Sequence, residues 1–449
     1  MFSRTPALAI FIVMFTIAAG LGTQPAFAQT TSTFTGAAQD DDLQFSVLDW
    51  DNPGNWDTVN YPDKDNPLGA SYHVVLAAPG TFQKWDEVHL NGDREVLTLT
   101  IDSTVSANDH MMIDGGQGPD SWNPSTSDTL TITEGVIDDY SGGFVHVSSL
   151  IKFGTSTATI HRDAAVTNRD MSLSGIEMGD GDLLVKTGTG LLVSFADNHT
   201  RFSADIRVEG GELNMGSTNG SAGFGDGLKS DGVTPQTVTL MSGTRFNYGN
   251  GNGTFHHAFE MEAGSTVQAS TGRMTIAGPI SGDGTLLRAG GGGAPSTISG
   301  DASQFQGQVI ARTGGWEISN KLGTGDITID AASQNLEFNL LPGAVVQFET
   351  GEMISAINTG SNLVDITLAP GSFDLTKLDR GLASQVLLDY SDPNVSVSYT
   401  GSVVDLRNPN SDWTGLHLVD TGTQIIAVPE PATLAMLGLA PLVALRRRR

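Results

Sequence analysis

The feature that most constrains this chain is that part of it is written twice. Displaced by 103 residues, Met171–Met215 matches Met274–Ile318 without a gap. Met171, Gly175, Gly179, Asp180, Gly181, Leu183, Leu184, Gly188, Gly190, Phe202 and Gly211 recur as Met274, Gly278, Gly282, Asp283, Gly284, Leu286, Leu287, Gly291, Gly293, Phe305 and Gly314. With 55 glycines in 449 residues some coincidence is expected. Here, however, the matches fall at turn glycines and strand interiors, and non-identical apolar positions keep their character (Leu173/Ile276, Ile206/Val309, Met215/Ile318). Stacked coils require this pattern, because glycine supplies positive φ at corners and inward residues must pack on the coil below. At about 20 to 25 residues per coil, the displacement spans four or five turns of a solenoid.

The local pattern has period two. Leu97-Thr98-Leu99-Thr100-Ile101, Leu130-Thr131-Ile132, Val238-Thr239-Leu240, Ile327-Thr328-Ile329, Ile366-Thr367-Leu368 and Val395-Ser396-Val397 alternate apolar with polar residues between Gly, Asp and Asn. Such runs read as half-buried strands joined by tight turns. No internal segment keeps helical spacing over three turns, so the body is predicted to be all-β.

The duplicated unit has an order of its own. A Gly-Asp-Gly turn precedes Leu183-Leu184, then come the Gly188–Gly190 turn, a strand, the segment Asn198 to Phe202, and Val208-Glu209-Gly210-Gly211-Glu212-Leu213. This order resembles the autotransporter-associated β-strand repeat of secreted bacterial proteins. The resemblance implies a right-handed parallel β-helix over about 170–330, with the second copy degraded at Ala294-Pro295. The chain departs from that family in ending on a sorting signal rather than a translocating barrel, so export by the same route is not implied. Trp50-Asp51 through Asn55-Trp56 to Pro62 looks like the aromatic opening of such proteins, and is expected to cap the first coil against edge pairing.

Both ends read as addresses. Arg4, the apolar run Ala7–Ala19 and the small-x-small site Ala26-Phe27-Ala28 form a secretory signal peptide, with signal peptidase expected to leave Gln29 as the new start. At the other end Pro429-Glu430-Pro431 precedes a 14-residue apolar run, Ala432–Leu445, and then Arg446, Arg447, Arg448 and Arg449. Such a run is short of the roughly 20 residues a bilayer-crossing helix needs, and its arginines would hold that end on the cytoplasmic side. This terminus closely resembles the PEP-CTERM sorting signal of Gram-negative bacteria. The resemblance implies an exosortase-type peptidase as a transient partner and a cell-surface or extracellular destination. The expected organisation is a signal helix (1–28), a polar linker (29–45), a β region capping the solenoid (46–169), the duplicated coils (170–330), a C-terminal β region (331–427) and the sorting signal with a short hydrophobic helix (428–449).

Charge and composition narrow the function. The formal charge is −27, from 23 Lys+Arg against 50 Asp+Glu, which opposes binding to nucleic acid or to an anionic membrane surface. No cysteine is present, which removes disulfides, thiolate metal sites and cysteine nucleophiles. Gly115-Gly116-Gln117-Gly118-Pro119-Asp120 with Trp122 fits a calcium nonapeptide, but no adjacent copy supplies the other ligands, so a plain turn is expected at Asp120. Asp49-x-Asp51 lacks the remaining ligands of an EF-hand loop. His256 and His257 are neighbours in an extended run and should point to opposite faces. The acids Asp40–Asp42, Asp138-Asp139, Asp180, Asp182 and Asp283 are expected to be solvated turn residues. The expectation is therefore a non-enzymatic, structural or adhesive surface protein without cofactor or metal, with extracellular polysaccharide as a partner. The alternative is a polysaccharide lyase or glycoside hydrolase on the same fold. It would require three carboxylates within about 10 Å on one sheet face, since glycan cleavage needs an acid and a base flanking the bond.

Overall fold

A computed structural model describes residues 29–34, 46–58, 60–63, 71–77, 86–102, 110–114, 128–163, 170–195, 202–216, 226–249, 253–270, 273–291, 293–331, 334–357, 360–379, 384–409 and 416–429. The signal peptide with Ala26 and Ala28, the Asp120 turn, Asp40–Asp42 and the sorting residues Glu430, Pro431 and Arg446 to Arg449 lie outside them. Among the described residues the only helical pieces are the single 3₁₀ turns Pro53–Asn55 and Val403–Leu406; all other regular structure is strand. No helix among them is long and apolar enough to cross a membrane.

Except for the antiparallel pairings of the last two strands, Leu416–Asp420 and Gln424–Pro429, the strands stack in parallel, each on a strand one coil away, which is the path of a β-solenoid. The first face begins with Thr30–Phe34 under Tyr72–Leu76 and runs through Arg94–Ile101, Thr129–Asp139, Thr157–Arg162 and Leu183–Thr187 to Gln304–Phe305. The second begins with Ser46–Asp49 under Asp86–His89 and runs to Gln385–Asp389. A third starts at Gly253–Phe255 and ends at Val395–Tyr399. Every segment read as an alternating strand from sequence lies inside one of these strands.

In-register stacking forms the core. On the third face Phe255, Ile276, Ile298, Ile318, Leu340 and Leu368 follow one another coil by coil, none more than 4% exposed. Burying each such side chain contributes about 1.5–3 kcal/mol. Each coil thus depends on its neighbours for most of its stability. The first coil is closed as expected: Trp50 and Trp56 are buried edge-on at 5.0 Å, and Trp56 also meets Phe34 at 5.0 Å. Trp50 Nε1 donates to Pro62 O (2.9 Å) and Trp56 Nε1 to Trp50 O (2.7 Å). Trp56 also bridges antiparallel to Phe34, covering the outer edge of the first strand.

The duplicated segments do not occupy the same face. Leu184 and Ile206 lie on the first face and their matches Leu287 and Val309 on the second; Met171 and Met215 lie on the second, Met274 and Ile318 on the third. The displacement of 103 residues is therefore four coils and one face. What recurs is a strand with its turn, and any face accepts it. Within the match one strand also slips by a residue. Leu184 points inward and Leu183 outward, whereas Leu286 points inward and Leu287 outward. Because side chains alternate, a single-residue shift exchanges the two sides.

Candidate functional site

Among the described residues the most chemically dense place is the corner where the first face turns into the second, over four coils. Thr100, Asp138, His161 and Thr187 form one outward column. Two residues further on, Asp102, Tyr140 and Asp163 are tied to the coil before by backbone bonds, Asp102 N to Leu76 O (3.1 Å), Tyr140 N to Ile101 O (2.8 Å) and Asp163 N to Asp139 O (3.1 Å). The Tyr140 ring is half exposed and lies 5.3 Å from the His161 ring. His161 Nδ1 meets Thr187 Oγ1 at 2.9 Å, and its Nε2 lies 3.2 Å from Asp163 Oδ2. Asp163 is held below the usual carboxylate range, first by the Thr189 N–H donated to it at 3.1 Å. The Tyr140 phenol is held up by the charges of Asp138, Asp163 and Asp102 together with burial, Asp138 having the largest effect. The corner thus displays an aromatic face, a phenolic O–H and three acids.

Behind it, the intervening residues point inward. Asp139 was expected in a solvated turn; strand alternation instead places it inside, fully buried, opposite Arg162, also fully buried. The two form an ion pair. Arg162 Nη1 also donates to Ser141 Oγ (2.9 Å) and Nη2 to Gly143 O (2.7 Å), while Ser141 Oγ and N donate to Asp139 Oδ1 (2.7 and 2.9 Å). Burial pushes the Asp139 carboxyl up, with Arg162 and Ser141 opposing. One coil on, Lys186 lays its stem between Ile160 and Val208, and its Nζ donates to Thr187 O (2.7 Å), Gly188 O (3.0 Å) and Gly210 O (3.0 Å). Arg288 holds the matching place after Leu286, with Nη1 donating to Ala269 O (3.0 Å). These interior cations satisfy corner carbonyls that turn away from the strand ladders. Sequence reasoning missed them, although Leu184-x-Lys186 and Leu286-x-Arg288 put each at an inward position of an alternating strand.

Burial holds Lys186 down to about 8, against 10.5, with Asp163 opposing and Arg162 adding to the shift. The folded chain thus binds this proton less tightly than the unfolded chain. The group's contribution to stability is lowest below pH 8 and rises as pH climbs from about 8 to about 10.5, a span on the order of 3 kcal/mol. Unfolding free energy should therefore rise with pH more steeply in the native chain than in Lys186→Met across that window; equal slopes would show that the ammonium is solvated.

The other sequence-singled residues are placed separately. His257 is buried, with Tyr248 Oη 3.4 Å from its Nδ1, and His256 faces the other way, as alternation required. Asp49 and Asp51 accept from Asn91 Nδ2 (3.0 and 3.3 Å). Asp180 accepts from Ser230 N at 3.0 Å, the main reason it is held down to about 2. Gln29 Nε2 lies within reach of Glu134 Oε1 (3.4 Å), and Pro429 ends the last strand. A second acidic corner joins Asp326, Glu349 and Glu352. Burial raises Glu352, although it accepts Glu349 N at 2.7 Å, and Lys377 pairs with Glu349 at 2.9 Å. Among the described residues no group of three His, Asp or Glu side chains is arranged to hold a metal ion.

Comparison with known proteins gives two similarities. Residues 427–449 match the PEP-CTERM protein-sorting motif. Over 226 residues the chain is 28% identical to the "Adhesin BmaC autotransporter" of Brucella suis biovar 1 (strain 1330), an alignment covering 47% of this chain and 6% of that protein. No solved structure matches the chain.

Proposed function

We propose that this is an exported, non-enzymatic protein of the cell surface or extracellular matrix, structural or adhesive in role. In this reading signal peptidase removes residues 1–28, and the C-terminal helix anchors the chain in the membrane until an exosortase-type peptidase reads the sorting motif. The body coils right-handed, the sense that parallel crossovers favour. The observation that carries the proposal is the sorting motif set directly against a long stack of parallel coils. Similarity to part of an adhesin supports the same reading. A stack of this kind gives length and resistance to proteolysis without a catalytic geometry to maintain, which suits a biofilm or envelope component.

The Tyr140 corner is the proposed contact for extracellular polysaccharide. A tyrosine offers an apolar face and a polar tip together, and carboxylates accept strong hydrogen bonds from hydroxyl groups. Tyr140→Ala should weaken saccharide binding at least tenfold while leaving the melting temperature unchanged, since the ring is half exposed. Glycan arrays followed by titration calorimetry would measure this; undiminished binding would remove the corner from the reading.

One observation favours the alternative of a glycan-cleaving enzyme, namely Glu352, a carboxyl raised by burial beside Glu349 and Asp326. Its bond from Glu349 N is the ordinary task of a turn-closing acid. Incubating the protein with polysaccharides and assaying new reducing ends decides between the two: cleavage abolished by Glu352→Gln would overturn the non-enzymatic proposal.

A further inference from the structure

The sorting motif and the folded body share residues. The last strand, Gln424–Pro429, includes the first proline of Pro429-Glu430-Pro431, and the motif match begins at residue 427, inside that strand. No spacer separates signal from fold.

That strand is the centre of the C-terminal cap. On one side it pairs antiparallel with Gln385–Asp389, the last strand of the second face, Gln385 opposite Ala427 and Asp389 opposite Gln424. On the other it pairs antiparallel with Leu416–Asp420, Leu416 opposite Pro429. Ile425 and Ala427 are buried, and they stand with Leu388 and Leu418 in the core that closes the final coil. Pro429 is also buried, at the strand end, a place in a sheet that tolerates a residue without N–H. A peptidase needs its substrate extended and free of ladder bonds. A bond between Leu416 and Pro429 would reach it only after the cap unzips. Cutting there would also strip the strand joining Leu416–Asp420 to the body, exposing the edge of Gln385–Asp389.

We infer that C-terminal processing falls beyond Pro429, so that the mature protein keeps Gln424–Pro429 as its closing strand and stands with this cap against the membrane until release. This rests on the processing proposed above. The test is the intact mass of the exported form of the full chain, produced in a Gram-negative host carrying an exosortase, together with limited proteolysis of the purified full chain. Expected are an exported form ending at or after Pro429, and first proteolytic cuts C-terminal to that residue. An exported form ending within residues 416–428, or early proteolysis there, overturns this inference alone. An exported form that keeps Arg446–Arg449 overturns the processing reading and this inference with it.

Discussion

Replacing Arg162 with methionine should destabilise the coils around it by about 3–5 kcal/mol, among the largest effects any single side chain here can have. The guanidinium and the Asp139 carboxylate are both fully buried, and their further hydrogen-bond partners are Ser141 and Gly143 O. Methionine fills most of the volume but strands a carboxylate in an apolar interior, together with an unpaired corner carbonyl. Asp139→Leu should cost about as much, for the mirror-image reason. Asp139→Leu combined with Arg162→Met should recover most of the loss, because a buried pair contributes little beyond an apolar equivalent once both charges are removed. A double-mutant cycle measured by denaturant unfolding, with hydrogen exchange at Thr157–Arg162 as a local readout, checks all three. A single-mutant cost below about 1 kcal/mol would mean that water reaches the corner and that the charges are solvated.

Gly315→Ala should be nearly as damaging, costing at least about 3 kcal/mol. Gly315 has φ +105°, which disfavours any residue with a Cβ, and an added Cβ would lie 1.6 Å from the backbone O of Glu337 in the next coil. Backbone cannot swing aside as a side chain can, so the third face would have to part between Gly314–Ile318 and Leu336–Leu340. Gly293→Ala is the matched control: no atom lies within 4 Å of its Cβ position, and the change should stay within about 0.5 kcal/mol. Thermal melts of the two variants against the native chain make the comparison. Equal midpoints would show that the coils are not stacked as closely as described.

These predictions also show what could be read without coordinates. Alternation of Thr with Val, Ile and Leu marked the strands, and the aromatic run from Trp50 to Trp56 marked the cap, because both are local patterns with a local physical cause. The facing of individual residues was less legible. Asp138-Asp139 read as a solvated turn although the second aspartate is fully buried. Leu183-Leu184 and Leu286-Leu287 read as equivalent although one strand is shifted by a residue against the other. Alternation settles which residues share a side, but each turn can add or drop a residue and so reset which side is inward. The coil already in place makes that choice. Tyr140, His161 and Asp163 could not be assembled from sequence for the same reason. They are neighbours only because residues 23 apart, such as Asp139 and Arg162, are stacked one coil above another.

By itself the sequence determined the all-β character, the coil-sized spacing of its turns, the aromatic closure at one end and the sorting motif at the other. All of these follow from residue chemistry acting over a few positions. Only the tertiary structure decided that the duplicated unit recurs one face on, that Arg162, Lys186 and Arg288 lie inside, and that Pro429 belongs to the closing strand as well as to the signal. Each of these depends on register between coils, a non-local quantity set by how the inward side chains of one turn fit those of the next.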